Sequence, residues 1–206
     1  MIPDQPREAL AEAMGSRALL VEHRTAVRNR LNSAVVPQIR EALQAQLAAL
    51  KQQIAALESF ITATVAARKD LTRRTEIVVS VIGVASVSSW AILAWLPEIG
   101  CLTRKQIAAL VGVAPFDHDS GPVHGRRHIA GGCKPLRDVL YMTALSAAFK
   151  NPPLAAFYQR LRAKGKEHKV AVIAVARRLV CMLNALVRDD RKWIPDHVST
   201  RPSYSI

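Results

Sequence analysis

The chain has 206 residues, half of them apolar but only 5% aromatic, and it carries a formal net charge of +13. That length holds one or two domains with a real core, and few aromatics beside abundant Ala, Leu and Val argue for packed helices and against a β-sandwich. Cys101, Cys133 and Cys181 are an odd number with no pair at metal spacing, which argues against a disulfide framework or a zinc site and fits a reducing cytoplasm.

No secretory signal opens the sequence. Asp4, Glu8 and Glu12 have the look of a helix end rather than a metal site. A helix is expected from Ser16 to about Ala34, with a stripe that includes Leu20, Val27 and Leu31. Pro37 separates it from a second long helix reaching about Arg74. In that helix Leu47, Leu50, Ile54, Leu57 and Ile61 repeat at alternating spacings of three and four, the pattern of an a/d seam. Residues 1–74 are therefore expected to form a helical linker, a coiled-coil hairpin. The narrow seam predicts self-association through residues 16–70. Folding of the two helices against each other is the plainer alternative.

Ile77 to Pro97 holds 21 uncharged residues, long enough to cross a bilayer. Ser80, Gly83, Ser86, Ser88 and Ser89 make it only moderately apolar, so a buried pair of short helices is expected and no membrane span. Two helices around a glycine-centred turn resemble a helix-hairpin-helix, whose turn amides face phosphate. Here Gly83 is followed by Val84 and Ala85, so the glycine pair is incomplete and packing is the expected role. Thr103 fits a helix N-cap and Gly112 a helix stop. Pro115 to Pro135 is a long Gly-rich basic loop without apolar period, and loops of that length inside a compact domain are usually functional or disordered. Helices follow over Leu136–Lys150, Leu154–Ala163 and Val170–Arg188, with Asn151-Pro152-Pro153 and Lys164-Gly165-Lys166 as breaks. Residues 75–194 form a second, compact helical domain, and 195–206 a disordered tail. The fold class is all-α, with no convincing strand and no internal repeat.

The charge is concentrated. Residues 121–192 carry 15 Lys and Arg against 4 acids, or +11 of the total. A basic half of this kind is the footprint of a nucleic-acid binder, whereas a solvated surface would spread its charge. Candidate phosphate contacts are Arg126, Arg127, Lys134 and Arg137, then Arg160, Lys166, Lys169 and Arg177, with Arg162 and Lys164 beside them. The basic loop also holds Asp119-Ser120-Gly121. Serine-based phosphodiester chemistry needs a hydroxyl to attack and guanidinium groups to stabilise the charge that builds on phosphate. A serine beside glycine is also a common turn residue. His118, His124 and His128 lack an acidic partner that would fix them as a metal set, and Asp117 and Asp119 suit turn formation.

Laid out in order, these residues resemble a known family. Leu102 to Trp193 is similar to the C-terminal domain of the Piv/MooV-class insertion-sequence transposases, the IS one-ten group. The matching run is Lys105 to Phe116, then Asp119-Ser120-Gly121, Gly125-Arg126-Arg127, Ile129, Gly131-Gly132, Arg137 and Leu140-Tyr141-Met142. It continues through Asn151-Pro152, Phe157-Tyr158, Gly165-Lys166, Val170-Ala171, Arg177, Leu183-Asn184 and Trp193. The resemblance implies a composite site that cuts and rejoins DNA. Four carboxylates of an N-terminal ribonuclease-H-like domain hold divalent metal, a C-terminal serine forms a phosphoserine link, and a structured guide RNA selects both DNA partners. By motif position the serine is Ser120. No strand-rich segment with spaced acids precedes Arg17, so this chain is expected to be a truncated, serine-bearing half that needs no metal of its own. The competing expectations are a non-catalytic nucleic-acid-binding remnant and a dimerising helical adaptor.

Overall fold

The computed structural model describes residues 5–113, 119–120, 123–124 and 133–195. It divides into two compact units, Met1–Thr72 and Arg73–Ile206. Among the described residues there are eight α-helices and one two-residue ladder, so the all-α expectation holds.

The first unit is built on α1 (Gln5–Ser33) and α2 (Pro37–Ala66). Pro37 occupies the first turn of α2, where its fixed φ suits a helix and its missing N–H is not needed. The turn is closed from α2, because Arg40 Nη1 donates to the carbonyls of Ala34 (2.8 Å) and Leu31 (3.3 Å) at the end of α1. A cation on the last carbonyls satisfies acceptors that a helix end leaves orphaned. The two helices run back along each other. Val27 packs with Leu47 and Leu50, joined by Leu20, Leu31 and Leu43, and Arg17 reaches Glu58 at 2.6 Å. Leu47, Leu50, Ile54 and Ile61 of the a/d seam are buried within the single chain. The seam thus needs no second copy to cover it, and the hairpin rather than a partner chain accounts for its periodicity.

Sequence periodicity carries the second helix to Arg74, but α2 ends at Ala66 and α3 runs Lys69–Val79. Two side chains explain the break. Thr72 Oγ1 donates to the carbonyl of Val65 at 3.0 Å, and Asp70 lies in the first turn of α3 with its carboxylate bound twice by Arg68 at 2.9 and 3.0 Å. The Arg68 guanidinium holds the Asp70 carboxyl below the usual carboxylate range.

The second unit continues with α4 (Ser86–Trp95), α5 (Arg104–Val111), the ladder β1 (Asp119–Ser120) and β2 (Val123–His124), α6 (Lys134–Lys150), α7 (Pro152–Ala163) and α8 (His168–Arg188). Residues Ile77–Pro97 are broken by the turn after α3 and do not form one helix; Ile77, Val78, Val81, Ile92 and Leu93 lie in the core. α8 is the one helix among the described residues long and apolar enough to cross a bilayer. Its apolar face, Val172, Val175, Ala176, Leu179, Val180 and Leu183, is fully buried in that same core. α6 packs against α4, α7 and α8, and α5 lies on α8.

Polar pins fix these contacts. α5 starts with a reciprocal capping box between Thr103 and Gln106 and stops at Gly112 in the left-handed conformation, both as its sequence predicts. The buried Asn184 of α8 accepts from Gly100 N–H at 2.8 Å and donates to the Leu102 carbonyl at 2.7 Å. The buried Asn151 caps α7 by accepting from Leu154 N–H and donates to the Ile82 carbonyl at 3.2 Å. That second bond ties the α6–α7 corner to the turn at Gly83. Ser80 Oγ accepts from Trp193 N–H at 2.8 Å and so holds the segment that follows α8.

Gly83 shows what the α3–α4 turn does. Its φ is +101°, and a Cβ there would lie 2.7 Å from Cα of Ala147. The turn faces α6 at backbone contact, which is the packing role expected and not a phosphate-facing one. Gly83→Ala should therefore destabilise the chain by about 2–4 kcal/mol, from a strained φ plus overpacking. Gly15, exposed inside α1 with nothing within 4 Å of its virtual Cβ, should behave oppositely. Gly15→Ala is expected to stabilise by about 0.5–1 kcal/mol. Paired urea melts of the two variants check both signs.

Candidate nucleic-acid interface

Two sets of cations stand out among the described residues of the second unit. One is tied to carboxylates near the ends of α3 and α8. Arg73 Nε meets Asp190 Oδ1 at 2.9 Å while its Nη2 donates to the Asp190 carbonyl, Lys192 reaches Glu76 at 2.9 Å, and Arg188 and Arg191 share Asp189. Lys192 holds the Glu76 carboxyl below its ordinary range. Arg73 also secures Asp190 in a left-handed backbone, φ +46°, a conformation that Asp tolerates better than most residues.

The other set has no such partners. Arg160, Arg162, Lys164, Lys166, Lys169, Arg177 and Arg178 are all exposed, and among the described residues none pairs with a carboxylate. They lie on α7, on the turn after it and along α8. Helical register puts them there: the apolar residues of α8 face the core, which leaves Arg177 and Arg178 outward. The turn is closed by Gly165, φ +75°, and by Arg162 Nη1 donating to the Lys166 carbonyl at 2.6 Å. Phe157, partly buried against the core, carries the guanidinium of Arg160 at 5.4 Å and that of Arg178 at 4.9 Å from its ring centre. Such stacking holds a guanidinium by its face and leaves its N–H edges for an anion.

The structure thus brings Arg160, Lys166, Lys169 and Arg177 of the expected contacts to α7, α8 and the turn between them. Lys134 is elsewhere, on the first turn of α6, where it pairs with Asp138 at 2.8 Å, and Arg137 is half-buried on the same helix. Arg126 and Arg127 lie outside the described residues. Ser120 is placed by backbone alone, in β1, paired with Val123 across the ladder, and Asp119 is paired with His124. This two-residue ladder departs from the expected absence of strands. The sequence period puts Arg178 beside Arg177 on the polar side of α8, as the structure shows, but Arg178 is not among the expected phosphate contacts and no local spacing signals its seat on Phe157.

Two other chemistries find little support. Cys181 sits near Arg104 and Arg177, but burial pushes its thiol up against their pull, so it is not an activated thiolate. Among the described residues no three His, Cys, Asp or Glu side chains gather closely enough to hold a metal ion.

Comparison with known proteins follows the same residues. Residues 75–159 match the family described as Transposase IS116/IS110/IS902. The chain is 32% identical over 88 residues to the uncharacterized 43.6 kDa protein of insertion element IS110 from Streptomyces coelicolor, covering 42% of this chain and 22% of that protein. It is 34% identical over 94 residues to the pilin gene-inverting protein of Moraxella lacunata, 44% of this chain and 29% of the relative. It is 32% identical over 124 residues to the uncharacterized 44.8 kDa protein of insertion element IS116 from Streptomyces clavuligerus, 59% of this chain and 31% of the relative. The matched segments span less than a third of each of these relatives.

The unpaired cations should dominate binding to a polyanion. Replacing Arg160, Lys164, Lys166 and Lys169 together with Ala is expected to lower the slope of log affinity against log salt on duplex DNA by about 2–4, near one counterion per lost contact. Replacing the carboxylate-paired Arg73, Arg188 and Lys192 should change that slope by less than about 1. Fluorescence anisotropy titrations at several salt concentrations distinguish the two, and equal slopes for both variants would place the contact surface elsewhere.

Proposed function

We propose that this chain, whose residues 75–159 match the family described as Transposase IS116/IS110/IS902, serves DNA transposition or site-specific recombination as the serine-bearing C-terminal part of a recombinase. The observation that carries this is the coincidence of the family match with a surface of seven cations lacking carboxylate partners among the described residues. A pilin gene-inverting protein among the relatives is named for a DNA rearrangement, in keeping with recombination as the shared chemistry.

Ser120 is the proposed nucleophile. It falls inside the matched residues and in the short ladder that precedes Arg126 and Arg127 in the chain. Its oxygen would bond to phosphorus as one bridging P–O bond breaks, the leaving deoxyribose oxygen taking up a proton. A neutral hydroxyl is a poor nucleophile and needs a base or an aligned phosphate. The metal-holding carboxylates that the resemblance assigns to a ribonuclease-H-like domain have no counterpart among the described residues. The role of this chain is to present the serine and hold the strands. Arg160, Lys166, Lys169 and Arg177 would hold DNA or a guide RNA by phosphate contacts, which carry affinity without sequence choice. Lys134 would have to exchange Asp138 for phosphate to join them.

Self-association through residues 16–70 would use apolar side chains that the hairpin leaves half exposed, such as Leu19 and Phe60, since Leu47, Leu50, Ile54 and Ile61 of the a/d seam are already covered. Phe60→Asp is expected to convert an assembled wild type to monomer in sedimentation at about tens of micromolar, the range where weak helical associations populate. A monomeric wild type removes self-association.

The chemistry has its own test. This chain alone is expected not to cleave DNA, with or without magnesium. With a ribonuclease-H-like domain of the family supplied, a covalent protein–DNA adduct should form and should vanish in Ser120→Ala. An adduct that survives Ser120→Ala takes the nucleophile away from Ser120.

A further inference from the structure

The cationic surface around α7 also carries aromatic side chains, of which Phe157 and Tyr158 are partly buried against the core and Phe149 is not. Phe149, at the end of α6, is 66% exposed. Its ring centre is 5.7 Å from that of Tyr158 on α7, tilted by 54°. Tyr158 meets His168 edge-on at 5.9 Å, and the Tyr158 hydroxyl and His168 Nδ1 share a hydrogen bond of 2.8 Å. Three rings therefore follow one another from α6 across α7 to the start of α8. Tyr158 and His168 lock each other's orientation, and Tyr158 backs Phe149, whose outer side is left to solvent. Phe157, next to Tyr158 in the chain, seats Arg160 and Arg178. From residue 160 to residue 178 there are seven Lys and Arg and one acid, Glu167.

A duplex can engage such a surface through phosphates alone, since its bases are already stacked on each other. An unpaired strand offers phosphates and free base faces together, and each base stacked on an aromatic ring adds about 1–3 kcal/mol. An exposed phenylalanine packed on Tyr158 of α7, the helix that also carries uncompensated cations, suits that second ligand and not the first. We propose that the α6–α7–α8 corner is a platform for unpaired nucleotides, with Phe149 stacking a base and Arg160, Arg178 and the neighbouring lysines holding the flanking phosphates. This rests on the nucleic-acid reading above and adds a ligand class to it: single-stranded segments, whether DNA opened during strand exchange or an RNA loop.

The test compares two probes on the full chain, an unstructured oligothymidylate and a mixed-sequence duplex of equal length. Phe149→Ala is expected to weaken oligothymidylate binding by about tenfold to a hundredfold, the worth of one stacked base. Duplex binding should change less than about twofold, because phosphate contacts are untouched. Phe149→Trp should keep the single-strand affinity, and the added tryptophan fluorescence should be quenched by oligothymidylate beyond the wild-type change. Equal losses on both probes in Phe149→Ala, or an unquenched tryptophan at saturating oligothymidylate, overturns the platform. If the wild type binds duplex but shows no Phe149-dependent single-strand affinity, the platform fails and nucleic-acid binding stands. If the wild type binds neither probe, the nucleic-acid reading fails and takes the platform with it. An oligouridylate run beside oligothymidylate distinguishes an RNA preference from indifference to the sugar.

Discussion

The second unit depends on one buried amide. Asn184 lies about four-fifths of the way along α8, the helix around which the core is assembled, and it is surrounded by apolar residues. An unsatisfied amide there would cost several kcal/mol. Both of its ends are satisfied by backbone of the 100–102 turn, which fixes where α5 begins relative to α8. Asn151 repeats the device at the other side of the core by joining the α7 cap to the α3–α4 turn. Apolar packing holds this unit together, but on its own it would let helices slide. The two asparagines set register, because each offers donors and acceptors that only one arrangement satisfies.

That register determines what the surface displays. With Asn184, Leu183, Val180 and Leu179 turned inward, Arg177 and Arg178 must turn outward. With Leu154 inward and Asn151 capping, α7 places Phe157 against the core edge and Arg160 beside it. The cationic surface is thus a consequence of the core. Its membership was chosen by helical period, and its lack of carboxylates by the sequence itself.

Features carried by short-range chemistry were legible in the sequence. Thr103, Gln106 and Gly112 mark both ends of α5, and Asn151-Pro152 marks the start of α7, because caps act over three or four residues. The a/d spacing on α2 was legible as a seam, but a period does not say whether the covering helix belongs to the same chain. The break at Ala67 was not legible, since it depends on a Thr72 hydroxyl reaching back to the Val65 carbonyl within an unbroken apolar pattern. Arg178 over Phe157 was not legible either: the two meet across a helix-to-helix contact that no local spacing encodes. Of the expected site, the α7–α8 cations were placed together, Lys134 was drawn to Asp138, and Arg126 and Arg127 lie outside the described residues.

The segregation of paired from unpaired cations has a further consequence, for the protein without any ligand. Carboxylates are concentrated where they hold α3 to the end of α8, so in α7 and the first half of α8 seven cations have Glu167 as the one acid among them and mutual repulsion dominates. Seven like charges on neighbouring turns raise the free energy of the compact state, and dissolved ions relieve that repulsion within a Debye length. Added salt therefore acts on this molecule in two opposed directions. It competes with a polyanion for the surface, and it steadies the fold that displays the surface. The free chain is therefore most strained at low ionic strength, and any polyanion held by this surface would relieve the same repulsion that salt relieves.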